Sequence, residues 1–279
     1  MTYREALGQG EKLLNGAGIV DAKNDAWLLL AMAGRIDHTF YYMHMDEEMP
    51  EDAQHEFDAL INKRSERVPL QYITGEQEFM GITFHVNSSV LIPRQDTETL
   101  VEEALKLVHP GMKIMDMCTG SGCVLISILK NAHGVEGFGY DISKQAINVA
   151  KENAKLNDVA ADFERSDLFD DVMEEQFDML VSNPPYIRSE EIATLMPEVT
   201  DFEPHEALDG KEDGLYFYRK LIAGCPEFVK PGGYVLFEIG YDQGEDVSSM
   251  MKEAGFLEVA VVKDLAHHDR VVLGKLPGE

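Results

Sequence analysis

From about residue 97 the chain repeats one rhythm, helix then strand, and that rhythm constrains the fold more than any other feature. Leu100, Val101, Ala104, Leu105 and Val108 fall on one helical stripe. "KIMDMC" then reads as a strand, "CVLISILKNA" as a helix, "VEGFGYD" as a strand and "SKQAINVAKENAKLN" as a helix. "ADFERSD" and "FDMLVSN" follow as strands, then a long polar loop and the helix "LYFYRKLIAGCPEFV". Three late strands, "GGYVLFEIG", "FLEVAVVKD" and "RVVLGKL", surround a helix near residues 242 to 254. Strands separated by helices pair through crossovers, which makes them parallel and covers both faces of the sheet. The expectation is an α/β domain with a mostly parallel sheet, its last two strands antiparallel at the edge.

Residues 1–70 read as helices. "DAKNDAWLLLAMAG" offers Asp21 as an N-cap, a continuous apolar body and Gly34 as a stop, and Ala53, Phe57, Leu60 and Ile61 share one face between two prolines. "QYITGEQEFMGITFHVN" switches to Ile, Thr, Tyr, Phe and Val with Gly75 and Gly81 as breakers, a hairpin or a pair of short strands. The expected organisation is a helical domain over 1–70, a β-hairpin linker over 71–88 and the α/β domain over 89–279.

Charge restricts the partners. With 24 Lys+Arg against 51 Asp+Glu the formal charge is −27, so broad contact with nucleic-acid phosphate would be repelled over most of the surface. A basic protein partner or a small ligand suits the chain better. Cys118, Cys123 and Cys225 contain no C-x-x-C pair, which argues against a disulfide framework or a zinc knuckle and suits a reducing cytosol. The opening "MTYREALGQGEKLL" has no apolar core of signal-peptide length, and no stretch approaches the roughly 18 apolar residues of a membrane span. The expectation is a cytoplasmic protein without membrane contact.

In an open parallel sheet the ligand lies outside the carboxyl ends of the strands, near the point where strand order reverses. The first strand end, "MDMCTGSGC", runs from Asp116 through Gly120 and Gly122 into a helix, and Asp141 closes the next strand, where a carboxylate can accept from both ribose hydroxyls of an adenosine. Asp116 ahead of the glycines suits a cationic cofactor such as S-adenosylmethionine better than the pyrophosphate of NAD. At a third strand end, "SDLF", Asp167 would meet the adenine amino group and Leu168 would form an apolar wall. Each feature alone is compatible with a tight turn or a helix cap. Their order on successive strand ends favours a site.

The fourth strand of the series ends in "VSNPPYI". A planar NH2 group, a carboxamide or the exocyclic amine of a base, is a poor nucleophile because its lone pair is delocalised. The Asn183 side-chain carbonyl and the Pro184 backbone carbonyl could each accept one of its N–H bonds, orient the nitrogen and stabilise positive charge as it develops. Pro184 and Pro185 have restricted φ and no amide donors, and Tyr186 could pack on the flat group.

Together "CTGSG", "GYDIS", "SDLF" and "VSNPPYI" resemble class I S-adenosylmethionine-dependent methyltransferases that modify amino groups. "RVPLQYITGEQEFMGITFHVNSSVLIPRQDTETLVEEAL" and "KDLAHHDRVVLGKL" narrow the resemblance to the peptide chain release factor glutamine N5-methyltransferases, the HemK/PrmC family. It implies a Rossmann-like domain with a seven-stranded sheet, N5-methylglutamine in the Gly-Gly-Gln loop of release factors as product, and S-adenosylhomocysteine as by-product; a monomer is expected. The family's cofactor positions map to Cys118, Thr119, Gly120, Ser121, Gly122, Asp141, Leu168 and Asn183. Its substrate clamp maps to Asn183, Pro184, Pro185 and Tyr186, with Arg94 and Thr97 bordering the site and Phe202 to Pro204 in a neighbouring loop. Gln95 and Cys118 depart from the proline and glycine common at those positions. His267 and His268 are adjacent and point in different directions, so no metal is expected. Two rival readings remain: a nucleic-acid amino methyltransferase with the same clamp, and a cofactor-binding scaffold without turnover.

Overall fold

The computed structural model describes residues 1–173 and 176–278. They form two compact units, Met1–Gly75 with Met196–Phe202, and Glu76–Leu195 with Glu203–Glu279.

The first unit contains helices α1 (Tyr3–Gly16), α2 (Ala22–Gly34), α3 (His38–His44), α4 (Glu51–Ser65) and α5 (Leu70–Thr74). A capping box starts α1: Thr2 Oγ1 accepts from the Glu5 amide at 3.2 Å while Glu5 Oε2 accepts from the Thr2 amide at 3.0 Å. Asp21 does precede α2, but its side chain makes no cap bond. Its ψ of 35° departs from the extended backbone that aims a capping oxygen at the first free amides. The left-handed turn after α2 falls on Arg35, φ 50°, rather than on Gly34. Ala53, Phe57, Leu60 and Ile61 are buried together, as their spacing predicts, and pack with Leu14, Leu29 and Leu30.

Burial on α4 extends one turn further, to Arg64. Its guanidinium donates to Asp25 Oδ2 at 2.7 Å and to Glu198 Oε1 at 3.1 Å, and Arg67 donates to Glu198 Oε2 at 2.5 Å. This buried ion cluster ties residues 196–202 into the helical unit. No local pattern marks that segment, because its partners lie more than a hundred residues away in the chain.

The second unit opens with a hairpin, β1 (Glu76–Phe79) and β2 (Ile82–His85), paired from Glu76↔His85 to Phe79↔Ile82. The β-type stretch thus begins later than the sequence suggests. Pro69, φ −52°, precedes a short helix that Gly75, φ 80°, ends, so Leu70–Thr74 is α5. There follow α6 (Glu98–Leu107), β3 (Lys113–Met117), α7 (Cys123–Asn131), β4 (Glu136–Asp141), α8 (Lys144–Leu156), β5 (Asp162–Arg165) and β6 (Phe177–Ser182). The long loop carries α9 (Ser189–Ile192) and α10 (Pro197–Thr200), the latter counted with the helical unit. It leads to α11 (Tyr216–Phe228), β7 (Val229–Glu238), α12 (Gly244–Glu253), β8 (Leu257–Lys263) and β9 (Asp269–Lys275).

The seven strands run β5-β4-β3-β6-β7-β9-β8, parallel from β5 to β7, with β9 antiparallel to both β7 and β8. From β3 the chain moves outward to β4 and β5, then returns to lay β6 on the other side of β3. Strand order reverses there, and a crevice opens at the carboxyl ends of β3 and β6. Register sets Asp116 beside Val181 and Met117 beside Ser182, so the glycine loop and the turn at Asn183 leave the sheet side by side.

Beneath this edge the packing is tight. A Cβ on Gly139 of β4 would come within 2.5 Å of the Phe163 ring and 2.9 Å of Thr119 Oγ1. Gly139→Ala is therefore expected to cost about 1–3 kcal/mol through overpacking, read as a lower urea midpoint with an unchanged slope.

Candidate active site

Asp116, next to last in β3, is buried and accepts from Thr119 Oγ1 at 2.6 Å. The chain then turns through three left-handed residues, Cys118 (φ 62°), Gly120 (φ 55°) and Gly122 (φ 79°), before α7 begins. Two glycines meet that requirement without strain; Cys118 meets it against its side-chain preference. The Cys118 thiol is pushed well above its usual range by burial and by the charges of Asp141 and Asp116, so it stays protonated. Gly120 faces open space, since a Cβ there would meet nothing within 4 Å. Gly122 serves packing, for a Cβ there would come within 2.9 Å of Ile126 and 3.2 Å of Ala150.

Asp141 braces the loop. Its Oδ2 accepts from the Gly120 amide at 2.9 Å and its Oδ1 from the Ser143 amide at 2.9 Å, while the Thr119 amide donates to Tyr140 O at 3.0 Å. Burial raises the Asp141 carboxyl against the help of those two amides. Burial also pushes Asp116 up to about 7, opposed by hydrogen bonds from Thr119 and the Leu125 backbone.

At the end of β6, Ser182 Oγ donates to Met117 O at 2.5 Å. Asn183 Nδ2 donates to Thr97 Oγ1 at 3.3 Å, which turns the carbonyl end of the amide away from Thr97. The prolines lead into a short parallel bridge, in which the Ile187 amide donates to Leu208 O at 3.0 Å and the Gly210 amide to Ile187 O at 2.8 Å. Gly210 must be glycine: a Cβ would sit 2.7 Å from the Tyr186 backbone.

These elements border one cavity of about 360 Å³, within the size range of small-molecule sites. Of the residues expected from the sequence, Arg94, Thr97, Asp116, Cys118, Thr119, Gly120, Ser121, Asp141, Asp167, Leu168, Asn183 and Pro185 line it. Gly122, Pro184 and Tyr186 do not. Instead of packing over the cavity, Tyr186 directs its hydroxyl to Glu238 Oε1, 3.2 Å away, and its carbonyl accepts from Gln243 Nε2 at 3.0 Å. Arg94 is held by a salt bridge to Glu203, whose side chain is 1% exposed. Pro204, Glu206, Lys211, Tyr216, Phe217 and Lys220 are among the other residues that line it. Of these only Pro204 lay in a stretch that the sequence marked as part of the site; Tyr216, Phe217 and Lys220 lie on α11, read from the sequence only as a helix, and reach the cavity by the return of the chain after β6. Among the described residues no group of three or more His, Cys, Asp or Glu is arranged to hold a metal ion, and no helix is long and apolar enough to cross a membrane.

The buried Asp116 has a consequence for binding. Below about pH 7 it is protonated and offers no charge to a cationic ligand; above that pH it does. Affinity for such a ligand is expected to fall as pH drops below 7, with proton release on binding, and Asp141, shifted in the same direction, contributes. Calorimetry in buffers of different ionisation enthalpy reads the release, and Asp116→Asn should reduce it.

Comparison with known proteins adds a separate line. Residues 5–75 match the family model of the PrmC N-terminal domain, and residues 95–199 match the methyltransferase small domain. A release factor glutamine methyltransferase of Clostridium acetobutylicum is 40% identical over 98% of this chain and 98% of its own. One from Geobacter sulfurreducens is 37% identical over 99% and 97%. A solved methyltransferase from Pyrococcus furiosus, 15% identical, shares the fold with a TM-score of 0.53 over 71% of this chain and 90% of that one.

Proposed function

This chain belongs to the release factor glutamine methyltransferase family, and we propose that it transfers the methyl group of S-adenosylmethionine to N5 of the glutamine in the Gly-Gly-Gln motif of peptide chain release factors. The products are S-adenosylhomocysteine, N5-methylglutamine and a proton. The enzyme acts in the cytoplasm as a monomer, on a protein and not on nucleic acid. One observation carries the reading: the glycine loop with Asp116 and Asp141, and the turn at Asn183, border the same cavity.

The residues present fit that cofactor. The glycine loop carries no basic side chain for a pyrophosphate, and Gly120 leaves open space where a side chain would intrude. Asp141 would accept from the ribose hydroxyls, Asp167 from the adenine amino group with Leu168 beside it, and Asp116 would face the cationic end. When bound, S-adenosylmethionine supplies an electrophilic methyl group on a sulfonium.

The chain's own groups prepare the acceptor. Asn183 Oδ1 and the carbonyl of Pro184, which lies between the lining residues Asn183 and Pro185, would each accept one N–H of the glutamine carboxamide, aim its nitrogen and stabilise the charge that develops on it. Pro184 and Pro185 bring no competing N–H. Once methylated the nitrogen is acidic, so its proton passes to water without a strong base. Arg94, fixed by Glu203, and Thr97 border this end of the cavity.

Mass spectrometry of a release factor incubated with enzyme and cofactor tests the assignment. One added methyl on the Gly-Gly-Gln glutamine is expected; label from tritiated cofactor appearing only in added nucleic acid would sink it.

The helical domain, residues 1–70, holds the body of the release factor in this reading. Its α3 exposes Tyr42 (68%) and Met43 (73%), a large apolar area for a surface helix. Tyr42→Asp with Met43→Asp should raise KM for the intact release factor roughly 10-fold while leaving transfer to a short Gly-Gly-Gln peptide unchanged. Parallel kinetics on the two substrates check this.

A further inference from the structure

We propose that Arg270 is a positioning residue for the acceptor end of the cavity: through Asp96 it fixes the turn that carries Arg94 and Thr97, and with it the seat of Asn183. The inference rests on the function proposed above. Arg270 lies in "KDLAHHDRVVLGKL", a stretch that the sequence marked but that supplies no residue to the cavity wall.

The sheet decides where it stands. β9 runs antiparallel to β7 with Val271 opposite Glu238, so Arg270 falls opposite Ile239, one residue past the end of β7. The two are bonded in both directions: the Ile239 amide donates to the Arg270 carbonyl at 2.9 Å, and Arg270 Nη1 donates to the Ile239 carbonyl at 3.2 Å. The side chain is buried, and its Nε and Nη2 both donate to Asp264 Oδ2 at 3.2 Å. Asp264 closes the β8–β9 turn, accepting from the amides of Ala266 and His268 at 2.9 and 3.0 Å. Two segments thus hold the guanidinium before it meets a third.

That third partner is Asp96, whose Oδ2 stands 3.1 Å from Arg270 Nη2. Asp96 is the middle residue of a single turn of 3-10 helix, Gln95–Thr97. Arg94 just before the turn and Thr97 at its end line the cavity, and Thr97 Oγ1 accepts from Asn183 Nδ2 at 3.3 Å. So short a turn has few hydrogen bonds of its own to hold it. An ion pair with a carboxylate 55% exposed adds little to global stability. Its effect is local, because the planar guanidinium is already fixed by Ile239 and Asp264 and offers Asp96 a donor at a set place.

Asp96→Ala removes this contact at an exposed side chain and leaves the buried Arg270–Asp264 pair intact. With release factor as substrate it should lower kcat roughly 10-fold, with cofactor Kd within about twofold and Tm within about 2 °C of wild type. Asp96→Asn keeps an acceptor oxygen for Nη2 and should recover most of that loss. Arg270→Lys keeps the charge, but one nitrogen cannot span Ile239, Asp264 and Asp96; it should lower kcat at least as far, and adding Asp96→Ala to it should lower kcat no further. A general loss of structure would instead lower Tm and cofactor affinity along with kcat in Asp96→Ala, and that result overturns the proposal. Wild-type kcat in Asp96→Ala, or losses from the two substitutions that multiply, also overturns it while leaving the proposed function standing. If the wild-type protein places no methyl on the release factor, the functional reading fails, and this proposal with it.

Discussion

Replacing Asn183 by alanine is expected to cut single-turnover methyl transfer roughly 100- to 1,000-fold while leaving cofactor affinity within about twofold. The residue stands where β6 leaves the sheet, and Nδ2 is committed to Thr97 at 3.3 Å. Its other end is the side-chain acceptor that the proposed clamp offers at the cavity, since the prolines contribute a backbone carbonyl alone and Tyr186 does not line the cavity. Losing it leaves the substrate amide with one fixed acceptor as positive charge builds on nitrogen. The ground-state cofactor keeps Asp116, Asp141 and the glycine loop, so a rapid-quench assay paired with calorimetry separates the two effects. Near-normal transfer by Asn183→Ala would exclude the clamp.

Asp141→Ala should give the reverse profile, with cofactor affinity lowered roughly 10- to 100-fold as two charge-assisted hydrogen bonds to the ribose are lost. The structure adds a second reason for a large effect. Asp141 accepts from the amides of Gly120 and Ser143, so its loss frees the loop that bears Gly120 as well as removing the proposed ribose acceptor. Asp141→Asn separates these contributions: it retains one acceptor for the backbone and loses the charge. If Asp141→Asn binds as poorly as the alanine variant, the ribose contact dominates; if it binds near wild type, loop bracing does. Unchanged affinity in both variants would remove Asp141 from the cofactor site.

Much of this architecture was legible because its signals are local. Apolar periodicity marked the strands of the sheet and the face of α4 that carries Phe57, Leu60 and Ile61. Glycines followed by a helix marked the loop after β3, and acidic strand ends marked Asp116 and Asp141. Other signals misled. "QYIT" reads as β-type, yet Pro69 and Gly75 make it a helical turn. Asp21 has the identity of a cap without its geometry. The helix "LYFYRKLIAGCPEFV" ends earlier than its apolar pattern suggests, and β7 begins at Val229, ahead of the "GGYVLFEIG" run, because Val229 pairs with Phe177 across a register shift.

Tyr186 shows the limit most clearly. Its aromatic ring invited a role over the substrate, whereas its hydroxyl is held by Glu238, a residue 52 positions away with no marking in its own neighbourhood beyond being an acid at a strand end. Arg94 stands out in "LIPRQDTE", but its orientation depends on Glu203, far along the chain and 1% exposed.

The sequence by itself determined the alternation that yields a parallel sheet, the glycines that meet the left-handed turns, and the Asn-Pro-Pro-Tyr turn at the end of β6, because each depends on residues within a turn or two of one another. Only the tertiary structure decided the strand order that lays β6 against β3, the union of residues 196–202 with the helical unit, and the hydrogen bonds that tie Asn183 to Thr97 and Tyr186 to Glu238. Those depend on contacts between distant segments, where hydrogen-bond direction and burial are set by packing and leave no periodic trace in the chain.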